Sequence, residues 1–154
     1  MINYPATSSL FVYGTLMSPQ VLRVLIGRLP ELVHSATLEG YRRHPVKGQS
    51  FPGMIAGVGS VQGMLLKELT VSEMNVLDWF EGEEYTRKDV NIQCGTTLEM
   101  TQTYVWSNPL SDLDTLSEWS YEDFCDFRLD SYLSHTVKPC RIKLNELAIG
   151  VYDH

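Results

Sequence analysis

Four carboxylates, Asp78, Glu81, Glu83 and Glu84, crowd the end of the apolar run LDWFEGEEYTR, with Arg87 just beyond. Acidic groups at a helix C-terminus face the negative end of the macrodipole. A locally costly cluster of this kind often marks function. Glu83 and Glu84 read as a solvated acidic turn. Glu81 differs, because it follows Phe80 directly on the side that a helix here would bury. A carboxyl at that junction is partly desolvated, and its pKa rises toward the range useful for proton transfer. A second candidate is the segment FVYGTLMSP, where an apolar run meets Tyr13-Gly14-Thr15 and Pro19 then opens a helix. Backbone N–H groups in such a turn converge on one point and suit an anion. The segment lacks the GK[ST] of a phosphate loop, and so short a cradle fits a carboxylate better. Taken alone, a Tyr-Gly-Thr after a strand is more often a plain turn.

The other reactive residue types form no constellation. His34, His44, His135 and His154 are dispersed, without metal or triad spacing. Cys94, Cys125 and Cys140 are odd in number and far apart, with no CxxC pair, which argues against a disulfide framework or a zinc site. Free thiols suit a reducing compartment. Ser8, Ser9 and Thr15 lack the Gly-x-Ser-x-Gly elbow of an α/β-hydrolase. A net charge of −7 argues against nucleic acid as the main partner, and the basic spot Arg42-Arg43-His44 reads as solvated surface. The first residues have no basic n-region and no apolar run reaches bilayer length, so a cytoplasmic protein with no membrane partner is expected. No metal or cofactor is implied.

The elements that must position these groups follow from patterning. A chain of 154 residues with 44% hydrophobic content suits a single domain. SLFVY reads as a strand, and PQVLRVLIG as a helix with Val21, Leu22, Leu25 and Ile26 on one face and Gly27 as its stop. LVHSATLEGYRRHPV reads as strand. KGQSFPGMIAGVGS, with four glycines and a proline, reads as an irregular connection, serving either close approach to a ligand or a long loop. SVQGMLLKEL is another strand, with Gly63 a candidate bulge. TVSEMNVLDWFEG is a helix: Thr70 and Glu73 stand at capping-box spacing, Met74, Leu77 and Phe80 share a face, and Gly82 can end it. A hairpin is expected around Gly95, with Val90, Ile92 and Cys94 alternating against polar residues. The last helix is expected over SEWSYEDFCDFRLDSYLSHTV, and a short strand after Lys138. Strands outnumber helices without strict alternation, which points to an α+β domain with a partly closed sheet.

Together, FVYGTL, FPGMIAG, VQGMLL and FEGEEYTR in this order resemble the γ-glutamylcyclotransferase superfamily, and most closely its AIG2-like branch, over about residues 10–106. The resemblance implies a small mixed β-barrel flanked by helices, with a helical segment from about residue 117. It implies that Tyr13, Gly14, Thr15, Leu16, Met17 and Ser18 form a substrate loop and that Glu81 is the catalytic carboxyl. Tyr85 and Arg87 are candidates to line the same pocket, although Arg87 is equally suited to pairing with a neighbouring acid. The activity implied is cyclisation of a small γ-glutamyl compound to 5-oxoproline with release of an amine or amino acid, without a cofactor, by a monomer or weak homodimer. Three rivals stand beside it: a ligand-binding protein that has lost catalysis, a different transferase or deglycating activity in the same cavity, and an interaction protein working through Trp106, Trp119 and Tyr121.

Overall fold

The computed structural model describes residues 7–147. Its order is β1 (Thr7–Val12), a 3₁₀ turn (Thr15–Met17), α1 (Pro19–Ile26), β2 (Glu31–Pro45), β3 (Pro52–Thr70), α2 (Val71–Glu81), a second 3₁₀ turn (Gly82–Glu84), β4 (Tyr85–Cys94) and β5 (Thr97–Trp106). Helices α3 (Tyr121–Phe127), α4 (Leu129–Tyr132), a π-turn (Leu133–Val137) and α5 (Lys138–Glu146) follow. The five strands form a ring in the order β1-β3-β2-β4-β5. Two joints of the ring are thin. β2 and β4 share the pairs Ala36↔Cys94 and Thr37↔Gln93, and β1 and β5 meet through the parallel pair Phe11↔Thr103. The α+β class and the small mixed barrel with flanking helices agree with the sequence reading.

The apolar run at β1 has a simple cause. Successive side chains point to opposite faces of a strand, and both faces of the second half of β1 are buried. Leu10 and Val12 join the core between barrel and helices, with Leu22, Leu25, Leu66, Leu77 and Leu144. Phe11 and Tyr13 point the other way, into a second core with Ala36, Met54, Leu65 and Ile92. Helix α1 begins where Ser18 accepts a hydrogen bond from the Val21 N–H and ends at Gly27, whose φ of 77° is left-handed. Helix α2 carries the expected capping box at Thr70 and Glu73. Arg28 clamps Glu73 with two bonds of 2.6 Å. Gly82 ends α2 at φ 70°, its N–H donating to the Asp78 carbonyl.

Four expectations need correction. The Gly-rich stretch is not an irregular connection from Pro52 onward: β3 runs unbroken through it, pairing Pro52–Ala56 with Tyr41–Pro45. Gly57, Val58 and Gly59 swell out between Ala56 and Ser60, with Val58 fully outside and its carbonyl accepting from Arg42. Gly53 is there for closeness, since a Cβ would lie 2.8 Å from Leu113 and 3.0 Å from Trp106. Gly63 likewise marks a close approach, with the Val12 carbonyl oxygen 2.3 Å from where its Cβ would stand. The register irregularity beside it belongs to the partner stretch Val33–Ala36.

The last helix starts later than expected, at Tyr121, where Ser120 caps it, and breaks at Arg128. The segment after Lys138 is helix, not strand. Pro139 lacks the N–H a continuing α-helix needs, and the wide π-turn just before it absorbs that loss. Val137 and Leu144 are fully buried, and Arg141 donates to the Leu25 carbonyl at 2.6 Å, which fastens α5 to α1.

Candidate active site

A cavity of about 150 Å³ opens between the start of the first 3₁₀ turn and the end of α2. Tyr13, Gly14, Thr15 and Leu16 line it together with Glu81 and Tyr85. The two segments singled out in the sequence, 68 positions apart at Tyr13 and Glu81, therefore face one space. Met17 and Ser18 lie outside the lining: Met17 packs into the core with Leu16, and Ser18 caps α1. Arg87 also stands outside. It forks onto Asp78 at 2.9 and 2.8 Å.

The turn owes its shape to crowding rather than to a left-handed backbone. Gly14 has φ −127°, so the freedom it supplies is space: a Cβ would meet Pro52 at 2.9 Å. The carbonyls of Gly14 and Thr15 accept from Met17 and Ser18. The N–H groups of Gly14, Thr15 and Leu16 make no hydrogen bond to another described residue, and all three residues border the cavity. Arg43 holds this turn from behind, donating to the Tyr13 carbonyl at 2.6 Å and to that of Gln62 at 3.3 Å, with its guanidinium over the Trp119 ring. Sequence reasoning placed Arg43 on a solvated surface. Only its fold partner, the carbonyl of a residue 30 positions away, reveals its role.

Glu81 is half-buried. Burial, then the charges of Glu84 and Asp78, push its carboxyl from the ordinary 4.5 up to about 8. Four phenols surround it: Tyr13, Tyr85, Tyr104 and Tyr132. Burial raises all four, so they stay neutral, as donors. Tyr13 donates to the Tyr104 carbonyl and Tyr85 to the Pro52 carbonyl, each at 2.6 Å. Tyr104 donates to Asp78 at 2.7 Å, so Arg87 and Tyr104 share one carboxylate and fix that side of α2. Thr15 donates to the Tyr132 hydroxyl at 3.4 Å. Tyr104, Tyr132, Phe51, Phe80, Glu84 and Thr136 also line the cavity and were not singled out as pocket residues in the sequence. Their signal is tertiary, since they come from four separate stretches of chain. The apolar walls and few polar groups are what a small-ligand site requires. Among the described residues no three His, Cys, Asp or Glu side chains gather to hold a metal ion, and no helix is long and apolar enough to cross a membrane.

Comparison with known proteins identifies the family and the fold. Residues 10–125 match the family described as Gamma-glutamyl cyclotransferase, AIG2-like. The AIG2-like protein C of Arabidopsis thaliana is 39% identical over 141 residues, covering 90% of this chain and 81% of that one. The Protein AIG2 A of the same plant is 33% identical over 138 residues, covering 88% and 80%. An A. thaliana protein solved in solution superposes with a TM-score of 0.64 at 31% identity, covering 92% of this chain and 95% of that one. A solved gamma-glutamyl cyclotransferase shares the fold at a TM-score of 0.58 and 16% identity, over 67% and 68% of the two chains. The two motifs that meet across the cavity lie within the matched region, and the chain belongs to the AIG2-like gamma-glutamyl cyclotransferase family.

Proposed function

We propose that the cavity cyclises the γ-glutamyl group of a small γ-glutamyl amino acid or amine, yielding 5-oxoproline and the free amine. The observation that carries this reading is that Glu81 and the Tyr13–Leu16 turn line one cavity; burial, which pushes the Glu81 carboxyl up to about 8, supports it. The N–H groups of Gly14 to Leu16 hold the substrate carboxylate. The walls fold the glutamyl chain so that its α-amine meets its own γ-carbonyl, a proximity effect. The amine nitrogen attacks the carbonyl carbon, a C–N bond forms, and the nitrogen gives its proton to the Glu81 carboxylate. Protonated Glu81 returns that proton to the departing nitrogen as the original C–N bond breaks. The proton count closes on one carboxyl, and no cofactor enters a step.

The test is Glu81→Gln, followed by 5-oxoproline release and by ligand titration. Turnover falls by about 10²–10⁴-fold, the range for a lost acid–base group, while γ-glutamyl ligand still binds. Unchanged turnover in the variant would sink the mechanism. Ligand binding by the wild-type chain without 5-oxoproline release from any γ-glutamyl compound would favour the binding protein instead.

A further inference from the structure

Part of the cavity lining, Tyr132 and Thr136, comes from the chain beyond residue 125, where the family match stops, and partly exposed Phe51, Glu81 and Glu84 border it from other segments. Tyr13, Gly14, Thr15, Leu16, Tyr104 and Tyr132 are buried. Thr136 borders the same cavity yet is exposed, so it stands at the rim. Tyr132 reaches both halves of the site. Its hydroxyl accepts from Thr15, and its ring meets Phe80, the neighbour of Glu81, edge-on at 6.4 Å between centroids. A second edge-on contact, to buried Phe124 at 5.3 Å, braces it. Thr136 lies four positions on, inside the π-turn Leu133–Val137. Inserted π-turns shift the register of side chains along a helix and recur at functional sites. This one is held on its far side by buried Val137 and by the Arg141–Leu25 bond.

With the glutamyl carboxylate at the turn and the reacting carbon within reach of Glu81, the amine is the part of the substrate that extends outward. We propose that the C-terminal π-turn is the specificity element of this site: Thr136, backed by Tyr132, bounds the space that the departing amine occupies and sets the size of amine accepted. This rests on the cyclisation reading for the identity of the ligand. The size limit itself is a property of binding.

The experiment titrates γ-glutamyl methylamide and γ-glutamyl phenethylamide calorimetrically, in the Glu81→Gln background, which halts the proposed chemistry. Thr136→Leu and Thr136→Ala are added to that background; both lie at an exposed position. The Thr136 parent binds both amides. Thr136→Leu weakens the phenethylamide by about tenfold or more, the scale of a methylene-sized misfit in an apolar pocket, and leaves the methylamide unchanged. Thr136→Ala tightens the phenethylamide alone. Equal changes for both amides, no change for either, or a parent that binds neither would overturn the proposal. Release of 5-oxoproline by the wild-type chain is scored separately. Its absence would sink the cyclisation reading while the ratio of affinities still decides the role of Thr136.

Discussion

At the scale of the residue, Glu81 is held in a compromise between acid and base. Burial and the neighbouring charges of Glu84 and Asp78 hold its proton to about pH 8. In the proposed cyclisation only the ionised form accepts the amine proton, so kcat/KM is expected to rise with pH and to reach half its limit near that value. Glu84→Gln removes one of the two charges and moves the midpoint to lower pH; a pH–rate profile on both proteins reads this directly, and an unmoved midpoint would count against the assignment. The same shift has a cost in stability. The folded chain binds this proton more tightly than an unfolded chain, whose carboxyl titrates near 4.5. Stability from this group is therefore complete below about pH 4.5 and is lost as pH rises through 8. Glu81→Gln does not titrate. In urea unfolding it is more stable than the wild-type chain at pH 8.5 by a wider margin than at pH 5, and a margin that narrows with pH would contradict the burial argument.

At the scale of the element, the end of α2 is positioned from its beginning. The Thr70 cap and the Arg28–Glu73 clamp fix the first turn, and the Asp78–Arg87 fork fixes the last. Thr70→Ala costs about 1 kcal/mol of stability, the typical value of a lost N-cap, measurable by denaturant unfolding. Gly63→Ala is far more damaging, because its Cβ would overlap the Val12 carbonyl and push β1 off β3; loss of the cooperative transition or a drop of several degrees in Tm is expected, and wild-type stability would refute the close approach. These local devices were largely legible in the sequence. Thr70, Glu73 and Gly82 act through neighbours three or four positions away, so spacing alone discloses them. Gly53 and Gly63 misled for the opposite reason. A glycine required by a distant strand or ring looks the same in sequence as one required by a loop. The expected strand after Lys138 failed as well, because the π-turn that leads into this helix has no sequence signature.

At the scale of the whole molecule, the legible half of the site was the pair of contiguous motifs around Gly14 and Glu81, and the hidden half was everything that closes over them. Tyr104, Tyr132 and Thr136 arrive from β5, α4 and the π-turn, and nothing in their local sequence distinguishes them from core or surface. Arg43 is the sharpest case, since an adjacent pair of arginines usually means solvated charge. Arg43→Ala releases the Tyr13 carbonyl and loosens the turn without touching Glu81. It is expected to raise KM more than it lowers kcat, and an unchanged KM would remove Arg43 from the architecture of the site.

The weakest joint of the barrel coincides with the cavity. β1 and β5 meet at Phe11↔Thr103, helped by Thr103 donating to the Phe11 carbonyl at 2.9 Å and by Tyr13 donating to the Tyr104 carbonyl. Tyr13 and Tyr104 are also part of the cavity wall. An occupant of the cavity thus acts as a clasp on the ring. Opening the joint must expel it, so the amide hydrogens of Thr103 and Tyr104 exchange more slowly as the site fills, by up to about 100-fold at ligand concentrations 100 times Kd, while amides near the remote hairpin at Gly95 keep their rates.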